Sequence, residues 1–356
     1  MELDRNLIVT AKIDEPDVEF HDVFEAPFEL YGFCDMSEGD KFRRLPKSLA
    51  EEISPAIVQL SSECTGCRIR FSTDSSYVAI RAEMPVVARN VHTPLEASAG
   101  FDLYRDYPTF GESRFVKTLP PPYELLGGYE QIHKFGSRKM RYLTLNLPIR
   151  STISKLYIGI ERGATLGSGL KYRNKRPIVV YGSSIVQGTA AVRPGLVYTD
   201  ILSRRLNMDV RNLGFSGNAK AEDVLVEYMA DLDMCMFICD YDHNAPNVEH
   251  LRNTHLKMYQ RIRESNPDLP YVVISRPNGL GSVAERRDVI IDTFRYGIAH
   301  GDKNLYYIDG QSFFLAKGES DLTADGTHPN DVGFSQMVDG IECVIREIMS
   351  TTDCLS

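Results

Sequence analysis

From residue 178 onward, short apolar runs alternate with stretches of helical periodicity, and this alternation constrains the fold more than any other feature. Ile178–Tyr181 (IVVY), Met208–Leu213, Met234–Cys239 (MCMFIC), Pro270–Ser275 and Asn304–Asp309 read as strands. Gly195–Arg205, Ala221–Ala230, Val248–Ser265, Val283–His300 and Pro329–Met349 read as helices. The central runs are apolar throughout, as strands buried on both faces must be. This predicts a parallel sheet covered by helices on both sides. Such sheets bind ligands beyond the carboxyl ends of their strands.

The first part of the chain lacks this rhythm. Ala56–Leu60, Cys67–Ser72, Tyr77–Glu83, Phe101–Tyr104, Tyr142–Leu147 and Lys155–Ile160 are short β-like runs separated by turn signals such as Pro120-Pro121-Pro122 and Gly127-Gly128. Many short strands with turns between them predict a β-sandwich. The stretch RGATLGSGLKYRNKRP is Gly-rich and then basic, as a linker would be. The expected organisation is a sandwich over 1–165, a linker over 166–176 and an α/β domain over 177–356. Two domains suit a chain of 356 residues.

A net charge of −9 argues against nucleic acid as the main partner and disfavours an anionic membrane surface. No apolar run reaches the 18 residues of a membrane span. Glu2 and Asp4 interrupt the start, which does not read as a signal peptide. The seven cysteines are odd in number and scattered, which points to reduced thiols and a cytoplasmic setting, or to secretion where a leader has been removed. Cys64-Thr-Gly-Cys67 has neither a second CxxC for zinc nor a strand–helix context for redox work, so it is read as structural. His250 and His255 are five apart on one predicted helix, the wrong spacing for a metal pair.

Chemistry-bearing residues follow the strands. The first strand ends in Gly182-Ser183-Ser184-Ile185-Val186-Gln187-Gly188, where a serine on a strand-to-helix turn exposes its hydroxyl. The second ends in Asn212-Leu213-Gly214-Phe215-Ser216-Gly217-Asn218; its glycines permit close backbone approach, and a backbone N–H there could face an oxyanion. The plainer reading is a tight turn in which Ser216 or Asn218 caps the next helix. The third ends in Asp240-Tyr241-Asp242-His243-Asn244. An Asn there can donate to an oxyanion, Asp240, Asp242 and His243 could ligate a metal, and Asn244 or Asn247 could simply cap a helix. Before the last helix stands Asp325-Gly326-Thr327-His328-Pro329, where a carboxylate can orient an imidazole. Each motif alone is weak. Together they supply a nucleophile, an oxyanion site and a base, each following a different strand.

With these blocks in place, the sequence resembles the SGNH (GDSL-like) hydrolase superfamily. GSSIVQG stands for its first block with Ser183 in place of the usual Asp, Gly217 for the second, and Asp325 with His328 for the fifth. The third block departs: DYDHN replaces Gly-x-Asn-Asp. Asp242 aligns with the usual Asn by strand position, whereas Asn244 is the better donor because a carboxylate cannot donate. Gly100-Phe101-Asp102-Leu103-Tyr104 resembles the Gly-x-Asp-Leu-Tyr signature of a sandwich domain that precedes some of these esterases. The resemblance implies a flavodoxin-like SGNH domain behind a jelly-roll-like sandwich, and a serine esterase acting on small acyl esters, acetyl foremost, carried on carbohydrates in some relatives.

In the implied mechanism Ser184 attacks the ester, His328 moves the proton and Asp325 orients His328. The Ser184 and Gly217 N–H groups and the Asn244 side chain hold the oxyanion, with Asp242 and His243 as candidate substrate contacts. Neither metal nor cofactor is required, and activity should fall at acid pH as His328 is protonated. The expected partner is a small-molecule or carbohydrate ester; the sandwich edges leave a homo-oligomer open. Two rivals stand beside this reading: a non-catalytic carbohydrate-binding protein on a hydrolase fold, and a metal-dependent phosphatase using Asp240, Asp242 and His243. Tyr104, Tyr107 and Tyr123 are read as sandwich core or surface in preference to a sugar platform.

Overall fold

The computed structural model describes residues 9–34, 41–108, 112–277, 283–314 and 320–352. Cys354 lies outside them. The chain forms two compact units, one of 1–44, 62–171 and 192–195, the other of 45–61, 172–191 and 196–356.

The first unit is a jelly roll. One antiparallel sheet has the order β1 (Val18–Asp22), β9 (Lys155–Glu161), β4 (Tyr77–Glu83), β7 (Gly128–Lys134). The other has the order β3 (Arg68–Thr73), β8 (Arg141–Asn146), β5 (Phe101–Tyr107), β6 (Glu112–Leu119), and short β2 (Glu29–Tyr31) and β10 (Leu166–Ser168) both pair with β3. Ile69, Phe71, Val78, Ile80, Leu103, Leu143, Leu145, Ile158 and Ile160 form the core, drawn from both sheets as sandwich packing requires. A short helix, α3 (Leu95–Ala99), precedes β5.

The Gly-x-Asp-Leu-Tyr signature lies at the start of β5. Fully buried Asp102 accepts hydrogen bonds from Thr118 Oγ1 (2.9 Å), Arg193 Nη1 (2.7 Å) and the Gly195 N–H (2.8 Å). The Tyr104 hydroxyl accepts from Arg193 at 2.6 Å, and the guanidinium lies 4.0 Å over Phe115. Tyr104 is therefore core, and Tyr123, 85% exposed, is surface. Cys64 and Cys67 are buried free thiols, and burial pushes Cys67 well above the usual thiol range.

The second unit carries a five-stranded parallel sheet in the order β12 (Val210–Gly214), β11 (Ile178–Gly182), β13 (Met236–Asp240), β14 (Tyr271–Ile274), β15 (Leu305–Ile308). This is the doubly wound order of flavodoxin-like folds, whose switch point falls at the first strand, here β11. Val179, Tyr181, Phe237, Cys239, Tyr271 and Val273 face one core with α6 (Asp223–Ala230), α7 (Val248–Ser265) and α8 (Val283–Ala299). Their buried alternates point the other way, toward α5 (Tyr198–Leu206) and α9 (Asp331–Thr351). Among the described residues no helix is long and apolar enough to cross a membrane.

Two expectations need correction. Ala56–Leu60 is not a strand but part of helix α2 (Pro55–Ser61), which follows α1 (Lys47–Ile53). Ile57 and Leu60, three apart, bury one helical face, and with Leu45 and Ala50 they join the core of the second unit. Residues 45–61 thus belong to the α/β unit although the chain places them within the sandwich region. The connecting stretch is also shorter than 166–176, because Leu166–Ser168 is strand β10 and the second unit begins again at Tyr172.

Candidate active site

β11 ends at Gly182, and the chain turns at once into the four-residue helix α4 (Ser184–Gln187). Ser183 caps it, its hydroxyl accepting from the Ile185 N–H at 3.2 Å. Ser184 is therefore the first helical residue, half-buried, and its own N–H is among the leading amides that lack an intrahelical acceptor. Its hydroxyl lies 2.8 Å from His328 Nε2.

His328 sits on a loop held to its own ends. Ala324 N–H donates to His328 O (2.8 Å), Asn330 N–H donates to Leu322 O (2.9 Å), and Asn330 caps α9 by accepting from the Val332 and Gly333 N–H groups. Asn330, not Pro329, opens the helix. His328 Nδ1 is 2.7 Å from Asp325 Oδ2, and Asp325 Oδ1 accepts from the backbone N–H groups of His328 (2.8 Å) and Thr327 (3.0 Å). Partial burial would raise the Asp325 carboxyl, but the His328 backbone N–H, the His328 ring and the Thr327 N–H hold it at about 2. A carboxylate only accepts, so Nδ1 carries the proton and Nε2 offers its lone pair to the Ser184 hydroxyl. With about a fifth of the Asp325 and His328 side chains exposed (22% and 21%), the relay is reachable from solvent. Such a chain can draw a proton off a hydroxyl and return it to a leaving group.

The turn after β12 runs beside α4. Gly214 allows this approach: a Cβ there would lie 2.3 Å from the Gln187 backbone nitrogen. Buried Asn212 donates to Val186 O at 2.6 Å and to Thr199 Oγ1 at 2.9 Å. Buried Gln187 accepts from the Ser216 N–H at 2.9 Å. Gly217 follows with φ +70° and is exposed. Neither Ser216 nor Asn218 caps the next helix, whose N-cap is Glu222; Asn218 Nδ2 donates to Ser216 O at 2.8 Å instead.

The turn after β13 separates the residues of DYDHN. Asp240 is buried, with Oδ2 accepting from the Tyr198 hydroxyl at 3.0 Å; burial pushes its carboxyl up to about 7 against that hydrogen bond. Asp242 is also buried, and its two oxygens accept from Arg276 Nε (2.6 Å) and the Arg276 N–H (3.2 Å). Arg286 donates to Asp242 O (2.7 Å) and Ala245 O (2.9 Å). Asp242 is thus spent on an internal ion pair, which corrects its assignment as a substrate contact. With Asp240 on Tyr198 and Asp242 on Arg276, the residues of the metal reading do not converge, and no such group occurs among the described residues. Asn244 Oδ1 accepts from the Ala219 N–H at 3.4 Å, joining this turn to that of Gly217 and leaving the Asn244 NH₂ as a donor. His243 is half-buried, close enough to His328 for their charges to oppose, and burial pushes its imidazole down to about 4. Asn247 caps α7, accepting from the His250 N–H at 2.8 Å.

Sequence reasoning missed Gln187, Asn212, Tyr198, Arg276 and Arg286. Gln187 carried a readable signal, a polar residue on the inner side of a short apolar helix; the others bond to partners far along the chain.

Residues 175–346 match the model of the GDSL-like lipase/acylhydrolase family, and 18–166 match the model described as the N-terminus of Esterase_SGNH_hydro-type. No curated protein matches the sequence. Among solved structures, a protein from Bacteroides ovatus ATCC 8483 described as a GDSL-like lipase is similar at 28% identity, over 94% of this chain and 98% of that one, with a TM-score of 0.84. A salicylyl-acyltransferase from a tetracycline biosynthetic pathway shares the fold at 19% identity, over 94% and 98%, with a TM-score of 0.78. A family two carbohydrate esterase from Cellvibrio japonicus shares it at 12%, over 95% and 99%, with a TM-score of 0.62.

Proposed function

We propose, from the premise that this chain belongs to the SGNH (GDSL-like) hydrolases and is a carboxylic ester hydrolase, that it cleaves small acyl esters, acetyl foremost, through a covalent acyl-enzyme on Ser184. The observation that carries the reading is the unbroken relay from Ser184 Oγ to His328 Nε2 (2.8 Å) and from His328 Nδ1 to Asp325 (2.7 Å).

Ser184 Oγ adds to the ester carbonyl as His328 takes its proton. The tetrahedral oxyanion is held by the Ser184 and Gly217 N–H groups and the Asn244 NH₂. The intermediate collapses, His328 gives the proton to the leaving alcohol, and water repeats the sequence on the acyl-enzyme. Asn244, not Asp242, takes the third-block role, since Asp242 accepts from Arg276 and has nothing to donate. Carbohydrate esters are the favoured natural substrates, in keeping with the carbohydrate esterases that share the fold. An intact relay weighs against the non-catalytic rival.

Hydrolysis of p-nitrophenyl acetate by the wild type and Ser184→Ala tests the reading. The variant should lose at least about 10³-fold in kcat/KM, with EDTA without effect on the wild type. Activity that survives the substitution, or that EDTA abolishes, overturns it.

A further inference from the structure

The proposed oxyanion donor at Gly217 belongs to a peptide plane that glycine makes easy to flip. Gly217 has φ +70° and a Cβ added there would meet nothing within 4 Å, so neither sterics nor packing at that residue fixes the plane. The peptide is nevertheless gripped at its carbonyl, and the peptide before it at its N–H. The carbonyl of Ser216, which shares the plane with the Gly217 N–H, accepts from Asn218 Nδ2 at 2.8 Å. In a trans peptide the N–H points opposite to its C=O, so a bond that fixes one direction fixes the other. One residue earlier, the Ser216 N–H donates to Gln187 Oε1 at 2.9 Å, a bond spanning 29 positions of sequence. Gln187 is fully buried and ends the helix that begins with Ser184. The turn is thus tied to the element that carries the proposed nucleophile.

We propose that Gln187 and Asn218 are positioning residues that lock the Ser216–Gly217 peptide with its N–H toward the developing oxyanion. The inference rests on the serine esterase reading and adds to it two residues that touch no substrate. Their loss would cost transition-state binding and spare ground-state binding, because the carbonyl of a bound ester asks little of the donor that an oxyanion needs.

The test uses the full chain with Gln187→Met, Gln187→Glu and Asn218→Ala. Gln187→Met keeps the length of the side chain and removes the acceptor; Gln187→Glu restores an oxygen in the same place. On p-nitrophenyl acetate, Gln187→Met and Asn218→Ala should each lower kcat by about 10- to 100-fold, part of what deletion of a whole donor costs, with KM within about twofold. Gln187→Glu should recover most of the loss. A trifluoromethyl ketone supplies the second readout: Ser184 Oγ adds to its carbonyl, His328 takes the proton, and a stable oxyanion remains. Its inhibition constant should rise by the factor by which kcat/KM falls. Unchanged kcat in both variants, or lost kcat without a matching loss of inhibitor affinity, overturns the lock and leaves the esterase reading standing. Absence of Ser184-dependent hydrolysis in the wild type overturns both.

Discussion

The loop that carries Asp325 and His328 and the turn that carries Asp240, Asp242 and Asn244 are both rich in carboxylates, and they are built by opposite means. In the first, the Thr327 and His328 N–H groups and the His328 ring meet the Asp325 carboxylate from two and three residues away, and the side chains stay partly exposed. In the second, the carboxylates are buried, and their partners are Tyr198, Arg276 and, at the Asp242 backbone, Arg286, between 34 and 44 positions away. One region is a local device placed on a surface. The other is part of the core and owes its shape to the whole sheet. The difference teaches where damage should appear: as lost rate in the first region and as lost stability in the second.

The largest effect belongs to Asp325→Asn. The amide oxygen can keep the backbone bonds, but its NH₂ would face His328 Nδ1 and favour the tautomer with the proton on Nε2, which cannot accept from Ser184. On p-nitrophenyl acetate kcat should fall by about 10²–10⁴-fold, while the urea midpoint moves by the equivalent of about 1 kcal/mol or less, as at an exposed pair. A loss of stability as large as the loss of rate would break the comparison.

Arg276→Met should do the reverse. It leaves the Asp242 carboxylate, 1% exposed, buried without its cation. The cost expected for an orphaned buried charge is about 3–5 kcal/mol. A second substitution, Asp242→Leu, should restore much of it. A single variant as stable as the wild type would show that this ion pair does not brace the turn.

The same contrast explains what could be read from the sequence. The parallel sheet was legible because buried strands must be apolar, and IVVY and MCMFIC have no other use. Ser184, Asp325 and His328 were legible as candidates because a serine on a strand-to-helix turn and an Asp-x-x-His pair can be read from residue type and local spacing, although the 144 positions between Ser184 and His328 hide that they meet. The role of Asp242 was not, since nothing near it in sequence announces Arg276. Helix α2 was missed because PAIVQLS suits a strand by composition; it folds as a helix because Ile57 and Leu60 find a shared core in residues that come more than a hundred positions later. Gln187 was visible within GSSIVQG, yet its partner at Ser216 was not.

The smallest effect sharpens the comparison through pH, because Asp325 in one region and Asp240 in the other are held on opposite sides of the ordinary value of about 4. Asp325, held at about 2, contributes stability that is complete above about 4 and is lost as pH falls toward 2. Asp240 is raised to about 7, first by burial and then by the nearby Asp242, against the Tyr198 hydroxyl and Arg276. Its folded form keeps a proton that the unfolded chain releases near about 4, so its contribution is complete below that pH and is lost as pH climbs to about 7. Between pH 5 and 7, Asp325 is ionised in both states, and of the two carboxyls only Asp240 moves. Urea denaturation of the wild type and Asp240→Asn isolates that change, since all other titrations cancel in the difference. The wild type should lose stability relative to the variant by on the order of 2 kcal/mol across this range. Parallel curves would mean that Asp240 stays ionised when buried, with Tyr198 and Arg276 enough to hold it so.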